Sequence, residues 1–297
     1  MNKSVKFFTF FFINLLTFLT IKTQQKVLII THVHSRPDFI ELHDKTFKAF
    51  LKDDYEYVVF NDAPTDEMCK KMETKCKELG VQCIRIPQVL HSKRNDPSGR
   101  HIDGIQYSLE RLGYNHNGPV LIIDSDMFLI KPFSVIEYLQ CYDFIAGEQY
   151  HTNGCSEIAH ASACLTFINM MALPNRHTLN FSDGYVEGIA CDVGGQTYYY
   201  FKNNPTVRTK FFHPVSTDLL PRDEEQLRAL GYDNNAINLI IILGKSLGME
   251  FHADGNFLHH YAGGSNWPGF AQDYLKEKSR IINHYIDQVI QTYKQGI

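Results

Sequence analysis

The sequence lacks several features that mark nucleic-acid-binding, disulfide-rich and multidomain proteins. No run of lysine or arginine occurs and the formal net charge is −4, so there is no basic face for nucleic acid. The 7 cysteines form no C-x-x-C pair and no disulfide framework of the kind found in small secreted domains. No linker rich in proline, glycine and serine marks a boundary, so we predict a single domain over residues 26–297.

The first 25 residues differ in composition from the rest of the chain. Lys3 and Lys6 precede an uncharged, mostly apolar run at residues 7–21. This run is shorter than the roughly 20 residues of a membrane-spanning helix and is typical of the core of a signal peptide. No small-x-small cleavage site follows it, so a retained N-terminal membrane anchor is the alternative. Both interpretations of this run predict a secretory or exported route, with the protein lumenal, periplasmic or anchored to a membrane.

Short apolar runs alternate with amphipathic segments through the first half of the chain. We predict strands at 26–30, 55–60, 81–86 and 120–123, and helices at 38–51, 65–79 and 101–112. This alternation is typical of an α/β protein in which helices cover both faces of a mostly parallel sheet. Further along we predict strands at 142–146 and 164–169, helices at 224–230 and 235–247, and a closing helix at 274–293.

Polar residues follow the predicted strands at the points where those strands end. In open α/β sheets, ligands collect at the carboxyl ends of the strands, so these residues are candidates for a binding site. The candidates are Thr31 and His32 after the first strand, Asn61 and Asp62 after the second, and Asp124, Ser125 and Asp126 after the strand at 120–123.

Asp124 and Asp126 are the strongest candidates for metal chemistry. Side chains alternate along a strand, so positions two apart are predicted to point the same way. Two like charges between apolar segments are costly unless a cation compensates, and Mg²⁺ and Mn²⁺ prefer oxygen ligands. The alternative is a surface turn with two solvated aspartates.

The segment at residues 119–132 resembles the nucleotide-sugar-binding segment of GT-A-fold glycosyltransferases, in which an Asp-x-Asp motif holds a metal. Residues 144–147 and 165–169 are similar to the strand pair that lines the sugar site in that family, and residues 260–263 to its late His-x-x-Gly. The resemblance spans about residues 26–270. It implies a Rossmann-like GT-A fold, and Mn²⁺ or Mg²⁺ held by Asp124, Asp126 and His260.

The same resemblance implies which partners the protein binds. These are a nucleotide-sugar donor, UDP-linked by default, and an acceptor hydroxyl on a glycan, protein or lipid. Contacts to the donor are implied for Arg100 and Asp103, which lie with His101 at the start of the helix before the metal strand. The glycine-rich stretch after His260 carries hydrogen-bond donors where related sequences often have a lysine, namely Gly263, Gly264, Ser265 and Asn266.

Asp192 lies in a polar, glycine-rich stretch that the resemblance puts near the acceptor. We predict that it contacts a sugar or acts as a general base, with Glu148 as a second candidate. The alternative for Asp192 is a turn or helix-capping residue. An inverting enzyme needs such a base and a retaining one need not, so the stereochemistry stays open.

Two other functions are compatible with parts of this pattern. A nucleotidyltransferase also uses carboxylates and a metal at strand ends, but we expect a glycine-rich basic loop after its first strand. Residues 31–36 contain no glycine. The second alternative is an exported carbohydrate-binding or interaction protein that keeps the fold without catalysis.

Overall fold

The structure is a computed structural model that describes residues 26–296, apart from 93–95, 155, 214, 217–222, 233, 235–236, 238–240, 242–249, 253–257 and 261–271. The apolar run at residues 7–21 and most of the helix predicted at 235–247 therefore lie outside the described residues. Within the described part of the chain, no helix is long and apolar enough to cross a membrane.

A seven-stranded sheet forms the centre of the protein, in the order β10-β6-β7-β4-β1-β2-β3. Only β7 runs antiparallel to its neighbours, and the other pairings in this sheet are parallel. The α/β class with a mostly parallel sheet, predicted from the sequence, is confirmed. The strands are β1 (Val27–Val33), β2 (Tyr55–Asn61), β3 (Gln82–Arg85), β4 (Pro119–Ile123), β6 (Phe144–Thr152), β7 (Glu157–Asn169) and β10 (Thr209–Phe212).

A second sheet of four antiparallel strands lies beside the first, in the order β11-β12-β13-β5. Its strands are β5 (Met127–Leu129), β11 (Val215–Ser216), β12 (Glu250–His252) and β13 (Leu258–His260), and a separate hairpin joins β8 (Gly184–Val186) to β9 (Ile189–Cys191). Since β5 follows β4 after three residues, the chain crosses there from one sheet to the other.

Helices pack on both faces of the central sheet. Along β1, Val27 and Ile29 belong to one apolar core, whereas Leu28 and Ile30 belong to another on the opposite face. This division follows from the alternation of side chains along a strand. The helices are α1 (Pro37–Phe50), α2 (Asp66–Leu79), α3 (Pro97–Arg111), α4 (Val135–Leu139), α5 (Thr197–Asn203), α6 (Glu224–Ala229) and α7 (Gln272–Lys294).

Local sequence signals fix the ends of the helices around the site. Thr65 caps α2 by accepting a hydrogen bond from the Met68 backbone N–H (3.2 Å), and α2 ends at Gly80, whose φ of 70° suits glycine. Asp96 caps α3 in the same way by accepting from the Gly99 N–H (2.9 Å). Helix α3 therefore begins at residue 97, earlier than predicted, and brings Arg100, His101 and Asp103 into its first two turns.

Candidate active site

The acidic triplet, residues 124–126, forms a turn between the two sheets. Strand β4 ends at Ile123, and the Met127 backbone N–H donates to the Asp124 carbonyl (3.1 Å), which closes the turn. Asp126 is 3% exposed, whereas the side chain of Asp124 is 21% exposed. The triplet is a turn and not part of the strand, so the alternation of side chains along a strand does not set the directions of the two carboxylates.

A partly buried histidine, His101, contacts one of the predicted site carboxylates. Its Nε2 is 3.1 Å from Asp124 Oδ1. Burial lowers the pKa of His101, but the charges of Asp124, Asp126 and Asp192 outweigh burial and raise that pKa above its ordinary value. The charges of all three carboxylates therefore act on the same ring.

Asp192 directly follows β9 and is exposed. Its Oδ1 accepts a hydrogen bond from the Val193 N–H (2.8 Å), and its carbonyl accepts from the Gly195 N–H (2.9 Å). The side chain therefore stabilises a local turn, as the alternative interpretation expected, while its charge also acts on His101. The two roles are compatible because a carboxylate has more than one acceptor position.

The turn after Asp192 is held against β7. Gly194 has a φ of 97°, and a Cβ built on it would lie 1.9 Å from the carbonyl oxygen of Ala161. Its N–H donates to the Phe181 carbonyl (2.7 Å), and its carbonyl accepts from Thr197 Oγ1 (2.6 Å). The Ala161 N–H in turn donates to Thr197 Oγ1 (3.1 Å). These contacts fix the position of Asp192 relative to the central sheet.

Glu148 lies on β6, next to an irregularity in its pairing with β7. Its Oε2 is 3.2 Å from His213 Nε2, and the ring of His213 stacks on Tyr150 with centroids 5.8 Å apart. Glu148 pairs in register with Ala161, the residue against which the Gly194 turn packs. Glu148 and Asp192 are therefore attached to neighbouring parts of the same strand pair.

Thr31 and His32, at the end of β1, lie deeper than expected for ligand contacts. Thr31 is fully buried, and the described residues offer no hydrogen-bond partner to its Oγ1 or to His32 Nδ1. His32 Nε2 is 3.1 Å from Ser108 Oγ, and its ring centroid is 6.0 Å from that of His101. Burial and the neighbouring His101 lower the pKa of His32 to about 3, so its ring is neutral at pH 7.

Asn61 uses its side chain to shape the loop after β2. The residue is fully buried, its Oδ1 accepts from the Ala63 N–H (3.0 Å), and its Nδ2 donates to the Cys69 carbonyl (3.2 Å). These bonds engage both ends of the amide. The Asn61 side chain therefore fixes the backbone on the far side of Asp62.

Asp62 is the centre of an ion-pair network that contains Arg100 and Asp103. Arg100 donates from Nη2 to Asp62 Oδ1 (2.6 Å) and from Nε to Oδ2 (3.0 Å). His91 bridges Asp62 and Asp103, with each ring nitrogen 2.9 Å from a carboxylate oxygen. Three predicted site residues thus come together, and His91, which the sequence analysis did not single out, joins them.

Replacement of Asp62 with asparagine is expected to lower the free energy of unfolding by about 3 kcal/mol at pH 7, because it removes the buried carboxylate that makes two hydrogen bonds with the Arg100 guanidinium. Burial raises the pKa of Asp62, but contacts to His34, Arg100 and His91 outweigh burial and hold that pKa below its usual 3.8. The stability that ionised Asp62 contributes is therefore fully present above pH 3.8. It is lost as the pH falls through the lowered pKa of Asp62 in the folded protein.

Urea unfolding of both proteins at pH 7 and at about pH 3 tests this. The difference in the free energy of unfolding between the wild-type protein and Asp62→Asn should be smaller at about pH 3 than at pH 7. The control is Glu224→Gln, which breaks an exposed pair with Arg228 (2.6 Å) and should change stability by less than about 0.5 kcal/mol. An Asp62→Asn effect as small as that of the control would contradict the expectation.

The backbone of β13 brings His260 next to the acidic triplet. His260 pairs with Met127 in the antiparallel register of β13 and β5, so it lies beside the residue that follows Asp126. Gly263, Gly264, Ser265 and Asn266 lie outside the described residues. Among the described residues, no group of three or more His, Cys, Asp and Glu side chains is arranged to hold a metal ion. Only the backbone of His260 belongs to the described part of the chain.

The donor set at the turn is suited to a hard divalent cation. Asp124 and Asp126 offer carboxylate oxygens, which Mg²⁺ and Mn²⁺ prefer, and Ser125 between them is 4% exposed. Two carboxylates from one short turn are an incomplete protein site, which substrate phosphates complete in many Mg²⁺ enzymes. The residues present therefore fit a cation that binds together with a phosphorylated ligand.

Comparisons with known proteins give matches among solved structures. No protein-family profile and no curated protein match the chain. The galactosyltransferase LgtC, solved with donor and acceptor sugar analogues, is 10% identical with a TM-score of 0.45, over 89% of this chain and 95% of LgtC. The glycosyltransferase GlyE of Streptococcus pneumoniae is 14% identical with a TM-score of 0.38, over 90% of this chain and 64% of GlyE.

A third similar structure is the mannosyltransferase PcManGT of Pyrobaculum calidifontis, solved with GDP-Man and Mn²⁺. It is 12% identical with a TM-score of 0.40, over 65% of this chain and 56% of PcManGT. The chain thus spans nearly all of LgtC but less than two thirds of the other two. At these scores the likeness is distant.

Proposed function

We propose that the protein is a metal-dependent glycosyltransferase, which moves a sugar from a nucleotide-diphosphate donor to an acceptor hydroxyl. The observation that carries this proposal is the group of Asp124, Asp126 and Asp192, in which the Asp124 N–H donates to the Cys164 carbonyl of β7 (2.9 Å) and the turn after Asp192 packs on Ala161 of the same strand. This group lies at the carboxyl end of β4, where ligands of α/β sheets bind. The family resemblance makes a uridine diphosphate sugar the first donor to test.

In this proposal, Asp124, Asp126 and His260 would hold Mn²⁺ or Mg²⁺. A bound divalent cation supplies neutralisation of the charge on the departing diphosphate. Asp192 orients the acceptor hydroxyl and accepts its proton if the enzyme inverts configuration, with Glu148 as the second candidate. The network of Asp62, Arg100 and Asp103 orders the donor side of the site.

We also infer from residues 7–21 that the protein enters a secretory or exported route, as a cleaved or membrane-anchored form. Its partners would be a nucleotide sugar and an acceptor on a glycan, protein or lipid. The domain is proposed to extend over residues 26–297.

Incubation of the purified protein with a panel of sugar nucleotides and Mn²⁺ tests the proposed activity. We expect at least one donor to release a nucleoside diphosphate. A chelator should abolish that release and excess Mn²⁺ should restore it. A nucleotidyltransferase would release no nucleoside diphosphate from these donors. It would instead release pyrophosphate when given a nucleoside triphosphate and a sugar 1-phosphate, because it breaks the bond between the α and β phosphates. Binding of sugar without release from any donor would favour the non-catalytic binding protein.

A further inference from the structure

His43 on α1 is a fully buried polar residue in the core that α1 forms with β5. Its ring contacts those of Phe47, Tyr57 and Phe128, with centroids 5.1, 5.9 and 5.2 Å away. A polar side chain in such a place is costly unless both of its ring nitrogens are hydrogen-bonded. Its hydrogen bonds therefore indicate what it does.

Both ring nitrogens of His43 have partners, and the chemistry of the partners fixes the tautomer. Nε2 is 2.7 Å from the Met127 carbonyl oxygen, which can only accept, so Nε2 carries the hydrogen. Nδ1 is 3.0 Å from Tyr57 Oη and accepts a hydrogen bond from that hydroxyl. Burial lowers the pKa of His43 to about 4, which keeps the ring neutral at pH 7.

Met127 is the residue on which the acidic turn depends. It directly follows Asp126, its N–H closes the turn to the Asp124 carbonyl (3.1 Å), and it pairs with His260 across β5 and β13. Its carbonyl accepts the bond from His43 (2.7 Å). One side chain on α1 therefore contacts the backbone that connects the acidic turn to the strand paired with His260.

We propose that His43 is a positioning residue, which sets the affinity of the acidic turn for a divalent cation through the Met127 carbonyl. This inference rests on the proposed function. Partners that orient metal ligands typically change metal affinity by about 10–100-fold when they are removed. We expect an effect of that size at His43, although it touches neither metal nor substrate.

The test compares His43→Leu with His43→Gln in the full chain. Leucine fills the buried volume without a donor, whereas the glutamine amide nitrogen is as many bonds from Cα as His43 Nε2 and can donate to Met127. Phe47→Leu is the matched control, because Phe47 is equally buried and packs on His43. Calorimetric titration with Mn²⁺ in the presence of UDP gives the affinity, and hydrogen exchange at residues 124–129 gives the rigidity of the turn.

We expect His43→Leu to raise the dissociation constant for Mn²⁺ by at least about 10-fold and to speed exchange at residues 124–129. His43→Gln should recover most of the Mn²⁺ affinity and most of the protection from exchange. Phe47→Leu should lower thermal stability with little change in Mn²⁺ affinity or in exchange. Wild-type affinity and exchange in His43→Leu would overturn the inference. If His43→Leu fails to fold, Tyr57→Phe, which leaves Nδ1 without its donor, must show the same changes to a smaller extent.

A failure of the proposed function gives a different result. A wild-type protein that binds no Mn²⁺ with UDP would refute the metal site and, with it, the role of His43 in affinity. Hydrogen exchange would still measure whether His43 holds the turn.

Discussion

Replacement of Asp126 with asparagine is expected to reduce kcat/KM for the donor that the wild-type protein uses by about a thousandfold, or ~4 kcal/mol. Asparagine has nearly the same shape, so packing around this 3%-exposed residue is preserved. The change removes a negative charge and one of two carboxylates in the turn. Its affinity for a divalent cation therefore falls, and the charge on the departing diphosphate is less well neutralised. Release of the nucleoside diphosphate at saturating Mn²⁺ is the measurement.

Asp54→Asn is the control for Asp126→Asn. Asp54 is exposed just before β2, and its replacement changes the net charge by the same amount. We expect its kcat/KM to stay within about twofold of wild type, since surface substitutions away from a site have small effects. Retention of more than a tenth of wild-type activity in Asp126→Asn would argue against the metal role of the triplet.

The second large effect is expected at Gly194. Replacement with alanine should lower the free energy of unfolding by about 4 kcal/mol, because two costs add. The left-handed φ of 97° costs a non-glycine residue about 1–2 kcal/mol, and the new methyl group overlaps the Ala161 carbonyl, which adds an overpacking cost of about 1–3 kcal/mol. Urea unfolding measures the change.

Gly188 offers a matched comparison for Gly194. Its φ is 83°, and no atom lies within 4 Å of the Cβ that alanine would add. Gly188→Ala should therefore show the conformational cost alone, about 1 kcal/mol. Equal effects at the two positions would mean that the turn moves freely away from β7. Because Asp192 lies at the start of that turn, Gly194→Ala should also impair catalysis in the fraction that remains folded.

The first half of the fold could be predicted because each element there has a local signal. Residues 120–123 are uniformly apolar between Gly118-Pro119 and Asp124, as expected for a strand buried on both faces. Helix α2 has a threonine cap and a terminal glycine, and its predicted end at residue 79 is confirmed. The capping role of Asp96 was also readable from the sequence, and it would have given the true start of α3.

Contacts between distant parts of the chain decided what could not be predicted. Residues 127–130 are as apolar as β4, but the sequence does not show that they enter a second sheet. The chain bends because β5 pairs with β13, which lies far along the sequence. The positions of His101 and His91 depend on how the two segments that carry them pack against β1 and β2. For His43, a histidine within the apolar face of α1 was a signal in the sequence, but not one that identifies Met127 as its partner.

The junction between the two sheets also makes the acidic segment intolerant of changes in length. Strand β4 is held in register by β1 and β7, and β5 is held by β13. An inserted or deleted residue between Ile123 and Met127 would have to slide one of these ladders by a position, which would turn its side chains to the opposite face. Relatives of this protein should therefore conserve the length of three of this connection, even where its central residue, Ser125, is replaced.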